Sequence, residues 1–175
     1  VGFVTELNPA ELDLPTLVSL AGSAANQHLL RRLHEDGFAG VRTSHGYVIQ
    51  NLIDETPTVG ELAVRLGVTQ QAASKAVVEM EGMGLVARVP DPADSRVRRV
   101  TLAAHGQALL AAGRAARAEL EHTVAAEVGD LDLAKRALVS LLEHTGHLDA
   151  VARRRVRLTV DDPGDSGPGT LVPER

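Results

Sequence analysis

Four polar residues set close together, Gln70, Gln71, Ser74 and Lys75, carry the most suggestive chemistry in this 175-residue sequence. Glutamine can pair bidentately with adenine, serine can reach a base edge or a phosphate, and lysine can reach guanine or the nucleic-acid backbone. Thr69 precedes them as a helix cap, and the amides at such a helix start can receive a phosphate. A merely solvated helix more often carries Glu in its first turn, where the dipole favours it. Here the acids Glu79 and Glu81 come late. Downstream, Arg96 follows the turn-rich stretch Pro90-Asp91-Pro92-Ala93-Asp94-Ser95, where an arginine can enter a narrow, electronegative minor groove. Asp94, two residues earlier, is suited to pair with an arginine and support the wing. The competing reading is a polar solvated helix and a surface ion pair worth under about 1 kcal/mol.

The elements that must position these residues are legible nearby. Thr58-Val59-Gly60-Glu61 has the form of a capping box and opens a short helix through Leu66. Gly67 stands where a helix C-terminus favours glycine. Thr69 then starts a second helix to about Met83, with Ala72 or Ala73, Ala76, Val77 and Met80 inward and Gly84 ending it. Two short β-prone runs, 85–89 and 98–102, flank the turn-rich stretch and predict a hairpin. Helix, glycine turn, helix and hairpin in that order make a winged helix-turn-helix, whose second helix lies in the major groove.

Around this unit the apolar residues Leu17, Val18, Ala21, Ala24, Ala25, Leu29 and Leu33 recur at helical spacing over 16–35, and a shorter helix is predicted over 44–54. Two long helical stretches follow, 103–128 and 131–155, separated by Gly129-Asp130. The chain therefore divides into an N-terminal arm and dimerisation helix (1–40), a winged lobe (41–102), C-terminal dimerisation helices (103–157) and a polar Gly/Pro-rich tail (158–175) expected to be disordered. The three long stripes offer more apolar surface than one small lobe can cover, which predicts a homodimer.

Composition agrees with a mainly α protein. Hydrophobic residues make up 44% and aromatics only 2%, so the core must be built from Leu, Val and Ala. The net charge of -5 argues against a uniformly basic surface and leaves room for a local basic edge formed by Arg88, Arg96, Arg98 and Arg99. With no cysteine, thiolate zinc sites, disulfides and a thiol switch are excluded for this chain. No basic leader and no apolar run of spanning length is present, so no membrane is implied and a soluble cytoplasmic protein is the expectation.

At this point a family resemblance can be stated. Ala63-Val64-Arg65-Leu66-Gly67-Val68-Thr69, Gly84-Leu85-Val86, Asp91-Pro92-Ala93-Asp94-Ser95-Arg96 and Val100-Thr101-Leu102 resemble the MarR family (multiple antibiotic resistance regulators). The Asp-x-Arg of the wing and the Val-Thr-Leu strand are its specific part, and the similarity runs from about 14 to 152. The resemblance implies six helices and one wing, with the first, fifth and sixth helices interlocked in a dimer. It also implies two lobes on a palindromic operator in double-stranded DNA, and relief of repression by a small molecule bound between helices and lobes. It assigns Thr69, Gln70, Gln71, Ser74 and Lys75 to the recognition helix and Arg96 to the wing tip. His28, His45 and Tyr47 fall near the family's ligand pocket and are candidate effector contacts; the plainer reading of the histidines is partial burial with satisfied hydrogen bonds. A recognition helix poor in arginine and the acidic tail depart from the family pattern.

Other signals are weaker. His144 and His147, three apart on one predicted helix, raise a zinc-responsive regulator as an alternative, but no carboxylates complete a shell and no metal or other cofactor is expected. Arg153-Arg154-Arg155-Val156-Arg157 could grip nucleic acid, but its place in the last turn of a predicted helix, where positive charge offsets the dipole, is the plainer reading. No nucleophile-and-base motif or phosphate-binding glycine loop points to an enzyme. A winged helix that binds only protein is the remaining alternative. The sequence thus predicts a DNA-binding transcriptional regulator of the winged helix-turn-helix class.

Overall fold

A computed structural model describes residues 8–152. After a 3-10 turn at Pro9–Glu11 come α1 (Leu14–Glu35), α2 (Thr43–Gln50), α3 (Val59–Leu66) and α4 (Gln70–Gly82). The hairpin strands β1 (Val86–Pro90) and β2 (Arg98–Leu102) follow, then α5 (Ala104–Val128), α6 (Leu131–His144) and α7 (Leu148–Ala152). The fold is mainly helical with a single two-stranded wing among the described residues. The tail, the Arg153–Arg157 cluster and the first residues of the arm lie outside the described residues.

Local chemistry sets the boundaries. The Asp13 side chain accepts the Thr16 amide at 3.0 Å to start α1, with Pro15 in its first turn, where a missing N–H costs nothing. Asp130 caps α6 by accepting the Leu133 amide at 2.9 Å. The hairpin is antiparallel, pairing Val86 with Leu102 and Pro90 with Arg98. The segment before α3 acts as a short third member: Val100 donates to the Pro57 carbonyl at 2.8 Å, and Thr58 bridges to Arg99.

The core lies where the lobe meets the long helices. Leu62 of α3, Val77 and Met80 of α4, Leu85 and Val100 of the hairpin are wholly buried, and Val48, Ile49 and Leu109 close the cluster from α2 and α5. The tightest approach is at Gly106 in the first turn of α5, which is itself buried and packs onto the backbone of Leu85. Of the sequence's inward assignments on α4, Ala73 is buried and Ala72 exposed.

One expected element is corrected. The predicted helix 131–155 breaks after His144, because Gly146 takes a left-handed φ of 73° and the amides of Gly146 and His147 return to the carbonyls of Glu143 and Leu142. The apolar stripe continues past the break, so periodicity alone hid it. His144 and His147 consequently do not share a helical face; His147 turns its Nδ1 to the Thr145 carbonyl at 2.7 Å. Among the described residues no group of three or more metal-ligating side chains could hold an ion. No helix among them is long and apolar enough to cross a membrane.

The outer helices keep exposed apolar faces among the described residues. α6 buries no residue, and Leu133, Leu138 and Val139 on it are exposed, as are Leu17 and Leu20 on α1.

Candidate nucleic-acid interface

The helix-turn-helix is built as local rules require. The Thr58 hydroxyl accepts the Glu61 amide at 3.2 Å, and the Glu61 carboxylate accepts the Thr58 amide at 2.7 Å, a closed capping box. That backbone hydrogen bond is the main cause holding the Glu61 carboxyl below its ordinary pKa, with Arg99 and Arg65 adding to it. Gly67 takes φ 64° and ends α3, its neighbour Val68 donating to Ala63 at 3.0 Å. Two residues on, the Thr69 hydroxyl accepts the Ala72 amide at 3.1 Å and opens α4.

With Ala73, Val77 and Met80 inward, Gln70, Gln71 and Lys75 stand exposed and Ser74 is half-buried on the outer face. Neither acid of α4 is left unpaired on that face. Glu79 pairs with Arg42 at the start of α2, and Glu81 pairs with Arg88 of β1 at 3.4 Å while also accepting the Arg88 amide at 3.1 Å. The outer face therefore carries donors and one cation in its first two turns.

The wing tip is held by two aspartates with different tasks. Asp94 accepts the Arg96 amide at 3.0 Å, and its carbonyl accepts the Val97 amide at 2.9 Å, so it shapes the loop through backbone. The arginine partner that the sequence suggested for Asp94 belongs to Asp91, which pairs with Arg99 and accepts the amides of Ala93 (2.7 Å) and Asp94 (3.3 Å). Arg99 first, then those amides, hold the Asp91 carboxyl below the ordinary carboxylate range. Arg99 also donates to the Thr56 carbonyl at 3.0 Å and faces Glu61 at 3.7 Å, joining the wing to the start of α3. Sequence reasoning named both residues and missed their pairing, although aspartate before proline is a turn-forming signal that marks Asp91. Arg96 is exposed at the tip, and neither Arg96 nor Lys75 pairs with a carboxylate among the described residues.

A cleft opens between α1, α2 and α5. Leu29, Leu30, Leu33, Ile49 and Leu109 supply its apolar walls; Asn26, Gln50, Arg42 and Arg117 supply polar groups. His28, His45 and Tyr47 do not line it. His28 contacts the Arg31 guanidinium at 3.2 Å, Tyr47 is half-buried with its phenol pushed up in pKa by burial, and His45 is buried beneath the Arg42–Glu79 pair. The Arg42 amide donates to His45 Nδ1 at 3.3 Å, and Nε2 stands 3.3 Å from the Arg42 guanidinium and 3.6 Å from the Glu79 carboxylate. Thus Arg42, a residue of the cleft wall, is tied through Glu79 to α4.

His45 has a consequence for pH. Burial first, and then the Arg42 charge, press its pKa below the ordinary imidazole value, with Glu79 opposing. As pH falls through about 6.5 the unfolded chain takes up this proton before the folded chain does. The stability His45 contributes is therefore present above that value and is lost as pH falls toward the folded pKa. Urea midpoints should decline between pH 7.5 and 5.5, and His45→Gln should show a shallower decline; an equal slope in both proteins would refute the assignment.

Comparison with known proteins follows the same lines. Residues 39–97, from just before α2 to the turn of the wing, match the model of the MarR family. A search of curated proteins finds no match. Among solved structures, the fold is similar to the transcriptional repressor CouR bound to a 23-mer DNA duplex, with TM-score 0.61 and 23% identity over 81% of this chain and 99% of that one. It is similar to a MepR mutant from S. aureus bound to an oligodeoxyribonucleotide, with TM-score 0.55 and 18% identity over 79% and 99% of the two chains. The transcriptional regulator BldR from Sulfolobus solfataricus gives TM-score 0.54 at 23% identity over 75% and 93%. A capped helix-turn-helix with its wing thus resembles the MarR family over residues 39–97, and most of the chain shares the fold of these solved structures.

Proposed function

We propose that the chain is a sequence-specific DNA-binding transcriptional regulator, a repressor that grips a palindromic operator as a homodimer and is released by a small molecule. The observation that carries this reading is the outer face of α4, where Gln70, Gln71, Ser74 and Lys75 make no ion pair among the described residues, beside a wing whose exposed Arg96 likewise pairs with no carboxylate among them. Thr69 and the first amides of α4 receive a phosphate, Gln71 and Ser74 meet base edges, and Arg96 reaches the minor groove or its phosphates. Selection of bound fragments from genomic DNA, followed by titration at several salt concentrations, tests it. Enrichment of an inverted repeat is expected; binding with no sequence preference would overturn it.

The dimer reading is supported by the exposed apolar side chains of the outer helices. Leu20 is 55% exposed on α1 and Leu133 58% exposed on α6, and large apolar side chains left open on long helices suit an interface. Sedimentation equilibrium at micromolar concentration should give twice the 18.5 kDa chain mass, and a monomer would sink the idea.

The effector reading rests on the cleft. A molecule with an apolar body and an anionic group fits walls of Leu and Ile beside Arg42 and Arg117. Its anion competes with Glu79 for Arg42, and loss of that pair frees the middle of the recognition helix from α2.

A further inference from the structure

Val78 is 56% exposed on α4, and its place on that helix sets it apart from the chain's other exposed aliphatic residues. At about 100° per residue it lies one turn beyond Ser74 and between the directions of Ser74 and Gln71. It therefore sits within the outer face, opposite the buried Ala73, Val77 and Met80. Every other residue named on that face is polar. Valine loses side-chain freedom in a helix and gains nothing from exposure there, so a solvated face has no use for it. Nothing among the described residues covers it, and α4 is not among the outer helices whose apolar faces suit a second copy. The two acids that would repel a nucleic acid nearby, Glu79 and Glu81, are held by Arg42 and Arg88.

We propose that Val78 is a specificity-determining residue that reads thymine through its C5-methyl group in the major groove. The methyl is the one apolar feature that any base pair presents there, and an aliphatic side chain is the group that recognises it. The hydrogen-bonding side chains Gln70, Gln71 and Ser74 fix the pairs read by the first turns, and Val78 reads the next pair along the groove. Each half of the recognised sequence thus carries a thymine at a position where no hydrogen bond from α4 is made. This assignment rests on the DNA-reading function proposed above.

The test uses a duplex enriched from a random pool by the unmodified full chain. Each thymine of that duplex is replaced in turn by deoxyuridine, which removes the methyl and keeps every hydrogen-bonding group. The unmodified protein should lose about fourfold in affinity per methyl at one position of each half-site, the factor that burial of one methyl group corresponds to. Val78→Ser, which removes the contact from both lobes of the dimer, should bind the thymine duplex about sixteenfold more weakly and be indifferent to deoxyuridine at that position, while remaining sensitive to base changes opposite Gln71. Circular dichroism confirms the fold, and Val78→Ala is read in the same way should the serine variant fail to fold. Equal deoxyuridine sensitivity in Val78→Ser and the unmodified protein, or no sensitive thymine at all, overturns the assignment while leaving the DNA-reading function intact. Failure to enrich any sequence overturns both.

Discussion

Replacing Gly106 by alanine should cost more than about 3 kcal/mol of stability, enough to leave a large fraction of the chain unfolded at modest urea. Gly106 occupies the first turn of α5, where the helix backbone lies directly on the peptide that leads into the wing. A Cβ there would overlap the Leu85 carbonyl oxygen and stand 2.9 Å from its carbonyl carbon. Neither atom belongs to a flexible side chain. The same carbonyl already accepts the Ala103 amide at 3.0 Å, and the Leu85 side chain is fully buried, so the peptide cannot retreat without unpacking the core. Gly82 near the end of α4 provides the contrast, because a Cβ there meets nothing within 4 Å. Gly82→Ala should be neutral or stabilising by up to about 1 kcal/mol, as alanine restricts the unfolded chain more and suits a helix better. Urea unfolding of both variants at one protein concentration gives the comparison. A midpoint for Gly106→Ala within error of the unmodified protein would contradict the close packing.

The second large effect concerns binding. Arg96→Ala should weaken binding to operator and scrambled DNA alike and flatten the dependence of log affinity on log salt by roughly one unit for each lobe in contact. The reasoning is that Arg96 is exposed at a tip whose shape is set by other residues, so its removal deletes a cation and leaves the loop standing. Asp94→Ala removes the acceptor of the Arg96 amide and should give a milder loss with the slope kept. Asp91→Ala frees Arg99 from the wing, and should disorder the hairpin more than Asp94→Ala does. Titrations over a salt series separate these outcomes. Normal operator affinity and an unchanged slope in Arg96→Ala would remove the wing from the DNA contact.

The parts of the site that the sequence disclosed are those whose chemistry is local. Thr58 and Glu61 lie three residues apart and satisfy each other's backbone; Gly67 and Thr69 stop one helix and start the next within a single turn. Such signals need no knowledge of the rest of the chain. What escaped depends on residues brought together by folding. Arg42 and Glu79 are separated by 37 positions, and Arg99 meets the Thr56 carbonyl across 43. The role of His45 between Arg42 and Glu79 is equally invisible without the packing of α2 on α4. Asp91 was hidden for a different reason: two aspartates stand in one turn, and only the closed hairpin shows which side chain faces Arg99. The break at Gly146 failed because a stripe of apolar residues reports which side faces inward, not whether the backbone is continuous.

The scarcity of aromatic residues has an optical consequence. The chain has no tryptophan and a single tyrosine, so its intrinsic near-ultraviolet emission arises from Tyr47 alone. That ring is half-buried on α2, the helix that carries His45 and flanks the cleft, and its backbone carbonyl accepts the Asn51 side-chain amide at 3.0 Å. Tyrosine fluorescence is therefore a site-specific reporter already present in the molecule. A change in its intensity or polarisation, when a compound is added or when α2 shifts against α4, reads one helix without any label.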